Sequence, residues 1–307
     1  MKYTARSSSY EDFLTDLNDS LAPRFPSTPV GEPLHLSGQI VGLPRSGTTI
    51  LYQLLARTRT IGYPSNVMAP FWRVPVVGAR LQRKLAESEP TISMRSVAGR
   101  TSEPLDPHEF GYFWREALGH SANTLHPDSA GWGWDRVQST LDAITEAFDA
   151  PTVYKNFLAL GHAEEMRAQL PRNRFIVIRR DPRDVAASLW SVRQKIGVPS
   201  EATFGLDPGG DQGLTLVQRI VDQVTTLEKS RAHLVDSARA VTLVVDYEEL
   251  CNGPKGIVNS VLDHIEADVD RASVDAAVPD SLPAGQGQSS LPSEIRNEIN
   301  ASGLEAK

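Results

Sequence analysis

The sequence predicts an α/β fold with a central parallel sheet flanked by helices, and three stretches carry that reading. Residues 36–58 pass from an apolar run (Ile40, Val41, Leu43) through Pro44-Arg45-Ser46-Gly47-Thr48-Thr49 to apolar residues at helical spacing, Ile50, Leu51, Leu54 and Leu55. Residues 173–180, NRFIVIRR, form a continuous apolar run suited to a strand buried on both faces, and a helical pattern follows. Residues 241–245 form a third apolar run after a long helical stretch. Strands that alternate with helices pair in parallel, because each crossover helix returns the chain to the same end of the sheet.

Taken in order, residues 8–22 predict a short amphipathic helix that starts at Ser9 or Asp12 and has Phe13, Leu14 and Leu17 as its apolar stripe. Residues 23–34 are rich in Pro and Gly and read as a linker. After the strand-turn-helix unit, residues 58–75 hold Pro64, Pro70 and Pro75 and predict an irregular crossing over the sheet. Residues 76–88 read as a basic helix, and the aromatic stretch Phe110, Tyr112, Phe113, Trp114 follows a proline-marked helix start. A helix is expected over 135–149, then a short strand ending in Lys155, then a helix over 161–170. Asp181-Pro182 turns the chain into a helix over 183–195, and 196–212 reads as a surface loop. A long helix over 213–236 leads to the third strand, which Asp246-Tyr247-Glu248-Glu249-Leu250 closes, and 254–267 is helical. The tail 277–307 is expected to be loop-like and flexible, ending in a weak helix. All of this reads as one domain over 1–307 with its core at 36–268.

The bulk numbers exclude several classes. A net charge of −7 argues against nucleic acid as a partner, because neutralising phosphates needs a basic face. The single cysteine, Cys251, rules out an internal disulfide and reads as a buried thiol. No run approaches the roughly 18 apolar residues of a membrane span. The start MKYTARSSSYEDF lacks the apolar core of a signal peptide. The expectation is therefore a cytoplasmic protein with no membrane partner.

The turn after the first strand predicts an anion cradle. A strand-to-helix turn aims successive backbone N–H groups and the positive end of the helix dipole at one point. The spacing Gly42-x-x-x-x-Gly47 fits the Walker A frame and gives the fold a P-loop-like, three-layer character. The residue after Gly47 is Thr48, where a nucleotide triphosphatase has Lys, and the cation comes earlier as Arg45.

Arg45-Ser46-Gly47-Thr48-Thr49 resembles the 5′-phosphosulfate-binding loop of sulfotransferases, which use 3′-phosphoadenosine 5′-phosphosulfate (PAPS) as donor. The stretch from Arg180 to Ser188, following a strong strand, resembles the 3′-phosphate motif of the same family, and Asp246-Tyr247-Glu248-Glu249-Leu250 is a weaker third match. The Pro-Arg-Ser-Gly-Thr-Thr loop is closest to the bacterial and tyrosylprotein-type branch. The resemblance implies that Arg45, Ser46, Gly47, Thr48 and Thr49 hold the 5′ end of the nucleotide and that Arg180 and Ser188 grip its 3′-phosphate. It also implies that PAP is the product and that no metal is needed, since arginine and lysine neutralise the charge. Arg45 and Lys155 are the candidate cations at the leaving oxygen.

The acceptor, expected to be a small molecule with a hydroxyl group, must lose its proton to a base. In the tyrosylprotein branch that base is a Glu shortly after the loop's helix, yet Gly62-Tyr63-Pro64-Ser65-Asn66 holds no carboxylate. His108 is the first candidate, since imidazole titrates near neutrality. Glu109 and Glu103 are the alternatives, and Glu109 as an orienting partner of His108 is another. The remaining histidines show no paired spacing. Trp72, Phe110, Tyr112, Phe113 and Trp114 are candidates for an acceptor pocket. A P-loop kinase-like phosphotransferase and a non-catalytic nucleotide-binding module are the competing readings.

Overall fold

The computed structural model describes residues 8–29, 31–88, 92–209, 213–285 and 287–305. Its elements are α1 (Ser8–Leu21), β1 (Ser37–Val41), α2 (Thr48–Thr58), α3 (Pro75–Ala86), α4 (Gly111–Leu118), α5 (Trp134–Phe148), β2 (Thr152–Lys155) and α6 (Ala163–Gln169). They continue with β3 (Asn173–Arg179), α7 (Pro182–Ile196), α8 (Leu216–Ser237), β4 (Thr242–Asp246), α9 (Tyr247–Asn252), α10 (Pro254–His264), α11 (Arg271–Ala277) and α12 (Ser293–Ala301).

The four strands form one parallel sheet in the order β2-β1-β3-β4, with Ile40 opposite Lys155 and Ile176, and Arg179 opposite Asp246. Alternation along the strands divides the core. Val41, Tyr154, Phe175 and Val177 pack towards α5, α7 and α8, while Ile40, Val153, Ile176 and Ile178 pack towards α2 and α10. This is the expected three-layer arrangement. From β1 the chain moves to one neighbour, β2, and from β3 it moves to the other, β4. The C-terminal ends of β1 and β3 therefore border a crevice, which is where open α/β sheets bind ligands.

Local chemistry explains the main boundaries. Pro182 occupies the first turn of α7, where its missing N–H costs nothing, and the Asp181 carboxylate accepts from Arg183 N at 2.8 Å. A reciprocal Thr215–Gln218 capping box starts α8.

The strand closes at Asp246 as expected, and residues 247–250 open α9, whose first turn carries Glu248 and Glu249 against the helix dipole. Two expectations are corrected. The tail is built into the fold: α12 packs on α7 and α8, Leu291, Ile299 and Leu304 are buried, and Arg183 Nε donates to Leu304 O. Its composition is poor in apolar residues, but these few suffice because a surface already waits for them. In α1, Phe13 is 61% exposed, and the inward face is made by Leu14 and by Asn18, which holds the backbone at Pro70 and Arg73. Residues 1–7, 30, 89–91, 210–212, 286 and 306–307 of the predicted segments lie outside the described residues. Among the described residues, no helix is long and apolar enough to cross a membrane.

Candidate active site

The loop between β1 and α2 has a backbone that its sequence makes necessary. Gly47 sits at φ 106°, and a Cβ there would lie 2.6 Å from the Tyr247 ring. Glycine alone meets both demands. Arg45 adopts φ 74°, a left-handed conformation that costs a non-glycine residue on the order of 1–3 kcal/mol and persists where the surroundings enforce it. A Cβ on Gly42 would meet Ser46 Oγ at 2.6 Å, so Gly42 makes room for the buried Ser46 side chain. That hydroxyl has no hydrogen-bond partner among the described residues.

The motif after β3 closes on this loop. Arg180 Nη1 donates to Arg45 O at 2.9 Å, and its guanidinium lies 4.2 Å from the Tyr247 ring centroid. Arg45 Nε donates to Ser188 Oγ at 3.2 Å. Burial, followed by the like charge of Arg180, holds the Arg45 guanidinium below its ordinary pKa. Arg180 is itself buried, and its Nε has no hydrogen-bond partner among the described residues. The neighbouring Arg179 is spent differently, in a bidentate pair with Asp246 at 2.9 Å that ties the ends of β3 and β4.

The third component comes from β2. Lys155 is buried, and its Nζ donates to Thr49 Oγ1 at 2.8 Å and to Glu109 Oε1 at 2.5 Å. One ammonium thereby joins the anion loop to the carboxylate just before α4.

These groups surround a cavity of about 530 Å³ at the C-terminal end of the sheet. Arg45, Gly47, Thr48, Thr49, Lys155 and Arg180 line it, as does Glu109, while Ser46 of the same loop is buried and does not line it. Ser188 reaches the cavity only through Arg45. His108 does not line it: its side chain borders an adjoining cavity, and its Nδ1 accepts from Phe110 N at 2.9 Å. Glu103 is exposed and lines neither. Of the five aromatic candidates, Phe110, Phe113 and Trp114 are core residues at 1% exposure or less. Trp72 is buried and stacks behind Tyr112, which alone of the five faces the adjoining cavity.

Sequence reasoning missed several wall residues. Tyr247 supports both Gly47 and Arg180 and accepts from Gly285 N at 3.0 Å, so the tail rests against the site. The tight turn at 97–100 leans over the loop, where Thr49 Oγ1 approaches Gly99 O at 3.5 Å. The predicted surface loop supplies Phe204 and Asp207, tied to the segment at 123–125 by Asp207 N to Asn123 O at 2.7 Å. An Ala-Gly pair at a turn was the one sequence signal available. His120 and His162, 42 residues apart, form a buried pair with Nε2 atoms 2.8 Å apart, which spacing alone does not reveal.

The profile of the Sulfotransferase family matches residues 39–271, about three quarters of the chain. The chain belongs to the sulfotransferase family. Among solved structures, it is similar to the sulfotransferase STF1 of Mycobacterium tuberculosis, with TM-score 0.56 and 16% identity over 96% of this chain and 85% of that one. It is also similar to the sulfotransferase STF9 of Mycobacterium avium, with TM-score 0.52 and 15% identity over 94% and 80% of the two chains. At that identity the likeness is one of fold. No curated protein matches the chain. The matched span contains the anion loop, Glu109, Lys155, Arg180 and Tyr247, while α1 and α12 lie outside it.

Proposed function

We propose that this sulfotransferase moves the sulfo group of PAPS to a hydroxyl of a small-molecule acceptor and releases PAP, in the cytoplasm and without a metal ion. The observation that carries the reading is a cavity lined by four cations, Arg45, Arg100, Lys155 and Arg180, with two buried polar atoms, Arg180 Nε and the Oγ of the loop residue Ser46, that have no hydrogen-bond partner among the described residues. Leaving buried polar groups unpaired costs free energy, and a polyanionic nucleotide would satisfy both. When bound, PAPS supplies an activated sulfo group with a nucleotide phosphate as leaving group. The backbone of residues 45–48 and the start of α2 hold the 5′ end, and Arg180 with Ser188 suits a dianionic 3′-phosphate.

Lys155 and Arg45 supply positive charge where the leaving oxygen gains negative charge, and they take the place of a magnesium ion. Glu109 is the base favoured by geometry, because its carboxylate borders both cavities and touches Lys155. It accepts the acceptor's proton, and the ammonium beside it compensates the charge until then. His108 was the first expectation, but its Nδ1 lone pair is committed to Phe110 N, which leaves Nε2 as the protonated, donating nitrogen in the neutral ring. His108 positions the acceptor rather than deprotonating it.

The test is a comparison of PAP with adenosine 5′-monophosphate, which lacks the 3′-phosphate. PAP should bind about 10- to 100-fold more tightly, as expected for charge-assisted contacts to one phosphate. Arg180→Ala should erase the difference. Equal affinity of the wild-type protein for both nucleotides would remove the 3′-phosphate assignment.

A further inference from the structure

A second cavity of about 400 Å³ lies beside the first and shares Gly99, Arg100, Glu109, Asn123 and Phe157 with it. Its outer wall is made by Glu11 of α1 with Asn66, His108, Tyr112 and Arg115. Apart from the Tyr112 and Phe157 rings and Pro107, this lining is polar, which is unsuited to a wholly apolar guest.

The charges of this wall are unequally committed. Glu109 is paired with Lys155, and the Glu11 carboxylate accepts the Tyr112 hydroxyl. The Arg115 guanidinium lies 4.8 Å from the Tyr112 ring centroid, and Nη1 makes one long contact, 3.4 Å, to Ser121 O. Arg100 has neither an ion-pair nor a side-chain hydrogen-bond partner among the described residues.

Arg100 is nevertheless fixed in place at its backbone. Val97 N donates to Arg100 O at 2.8 Å and Arg100 N donates to Val97 O at 3.0 Å. The two residues between them take φ 55° (Ala98) and φ 86° (Gly99), the left-handed pair of a tight hairpin turn. The next residue is anchored too, since Thr101 Oγ1 donates to Pro107 O at 2.9 Å and accepts from Asn66 Nδ2 at 3.2 Å. A turn anchored on both sides thus brings the exposed Arg100 guanidinium to the junction of the two cavities.

We propose that the second cavity takes a hydroxyl acceptor that also carries an anionic group, with Arg100 and the flanking Arg115 reading the anion while the hydroxyl reaches Glu109. This assignment rests on the sulfotransferase reading above and names its acceptor class. A planar guanidinium is the side chain best matched to carboxylate or phosphate oxygens.

The test uses the full-length chain saturated with PAP and three phenols that differ only in the charge of the para substituent: 4-hydroxyphenylacetate, 4-ethylphenol and tyramine. Calorimetry should show the anionic phenol binding about 10-fold or more tightly than the other two. Arg100→Ala should abolish that preference and Arg100→Lys should retain part of it. Equal affinities, a preference for tyramine, no binding of the anionic phenol, or a preference that survives Arg100→Ala would each overturn the assignment. Titration with PAP alone comes first. If PAP fails to bind, the donor reading falls and the acceptor reading with it, whereas PAP binding with equal phenol affinities removes the acceptor class alone.

Discussion

The two cavities that meet at Glu109 are built by different rules. On the donor side, short loops at the ends of β1 and β3 hold Arg45 and Arg180 against each other, with a polar atom of Ser46 and of Arg180 left unpaired in a buried setting. The like charge of Arg180 disfavours the Arg45 cation, and a bound anion would relieve that, which suits this side to an anionic ligand. On the acceptor side the charged groups have separate partners: Glu109 pairs with Lys155, Glu11 accepts the Tyr112 hydroxyl, Arg115 lies over the Tyr112 ring, and Arg100 has no side-chain partner among the described residues. That side's aromatic neighbours have turned inward to form core. Conserving free energy for a fixed nucleotide calls for the first arrangement; choosing among acceptors is possible with the second.

Lys155 joins the two sides, so its removal breaks the comparison most severely. Lys155→Ala should lower the rate of label transfer from PAPS in single turnover by about 100- to 1,000-fold, the scale for losing one charge-stabilising group. A change of less than about fivefold would mean that the two sides act independently.

Next in size is the base. Glu109→Gln should reduce kcat by about 100-fold while PAP affinity stays near that of the wild type, and His108→Ala should act mainly on the acceptor's KM. The reverse pattern would restore His108 as the base.

A smaller, purely structural effect is expected at the donor loop. Gly47→Ala forces a Cβ into the Tyr247 ring at an unfavourable φ. It should cost about 1–3 kcal/mol of stability, read as a lower denaturation midpoint with unchanged slope. An unchanged midpoint would show that the loop relaxes freely.

The smallest effect lies behind the acceptor wall. Burial, and then the charge of His162, lower the His120 pKa from 6.5 to about 4, with His126 acting in the same direction and Asp128 opposing. Between those values the unfolded chain takes up a proton that the folded protein refuses. Stability should therefore fall as pH drops from about 6.5 towards 4, with no contribution above that window. His120→Gln should flatten the slope there, and an unaltered slope would assign it to other groups.

The donor side was legible because its chemistry is consecutive. Glycine spacing, a helix start and an arginine at a strand end are local signals, and they point to Arg45, Thr48, Thr49 and Arg180, which line one cavity. Lys155 was found because a short strand ends on it. What was not legible depends on long-range assembly. His120 meets His162, Tyr247 fits against Gly47, and Arg100 arrives from a turn whose only mark is Ala98-Gly99. The choice between His108 and Glu109 depended on where two adjacent side chains point, and residue type cannot decide that. The tail was expected to be loop-like because its sequence has few apolar residues, yet Leu291, Ile299 and Leu304 anchor it to a ready surface.

The most direct measurement is a calorimetric titration with PAP in the presence of a chelator, run in parallel with magnesium-ATP. Saturable, metal-independent binding of PAP at one site per chain is expected, with no comparable heat from magnesium-ATP. Binding of magnesium-ATP with no response to PAP would contradict it. Thr48 would then stand in a phosphotransferase cradle that works without the usual lysine.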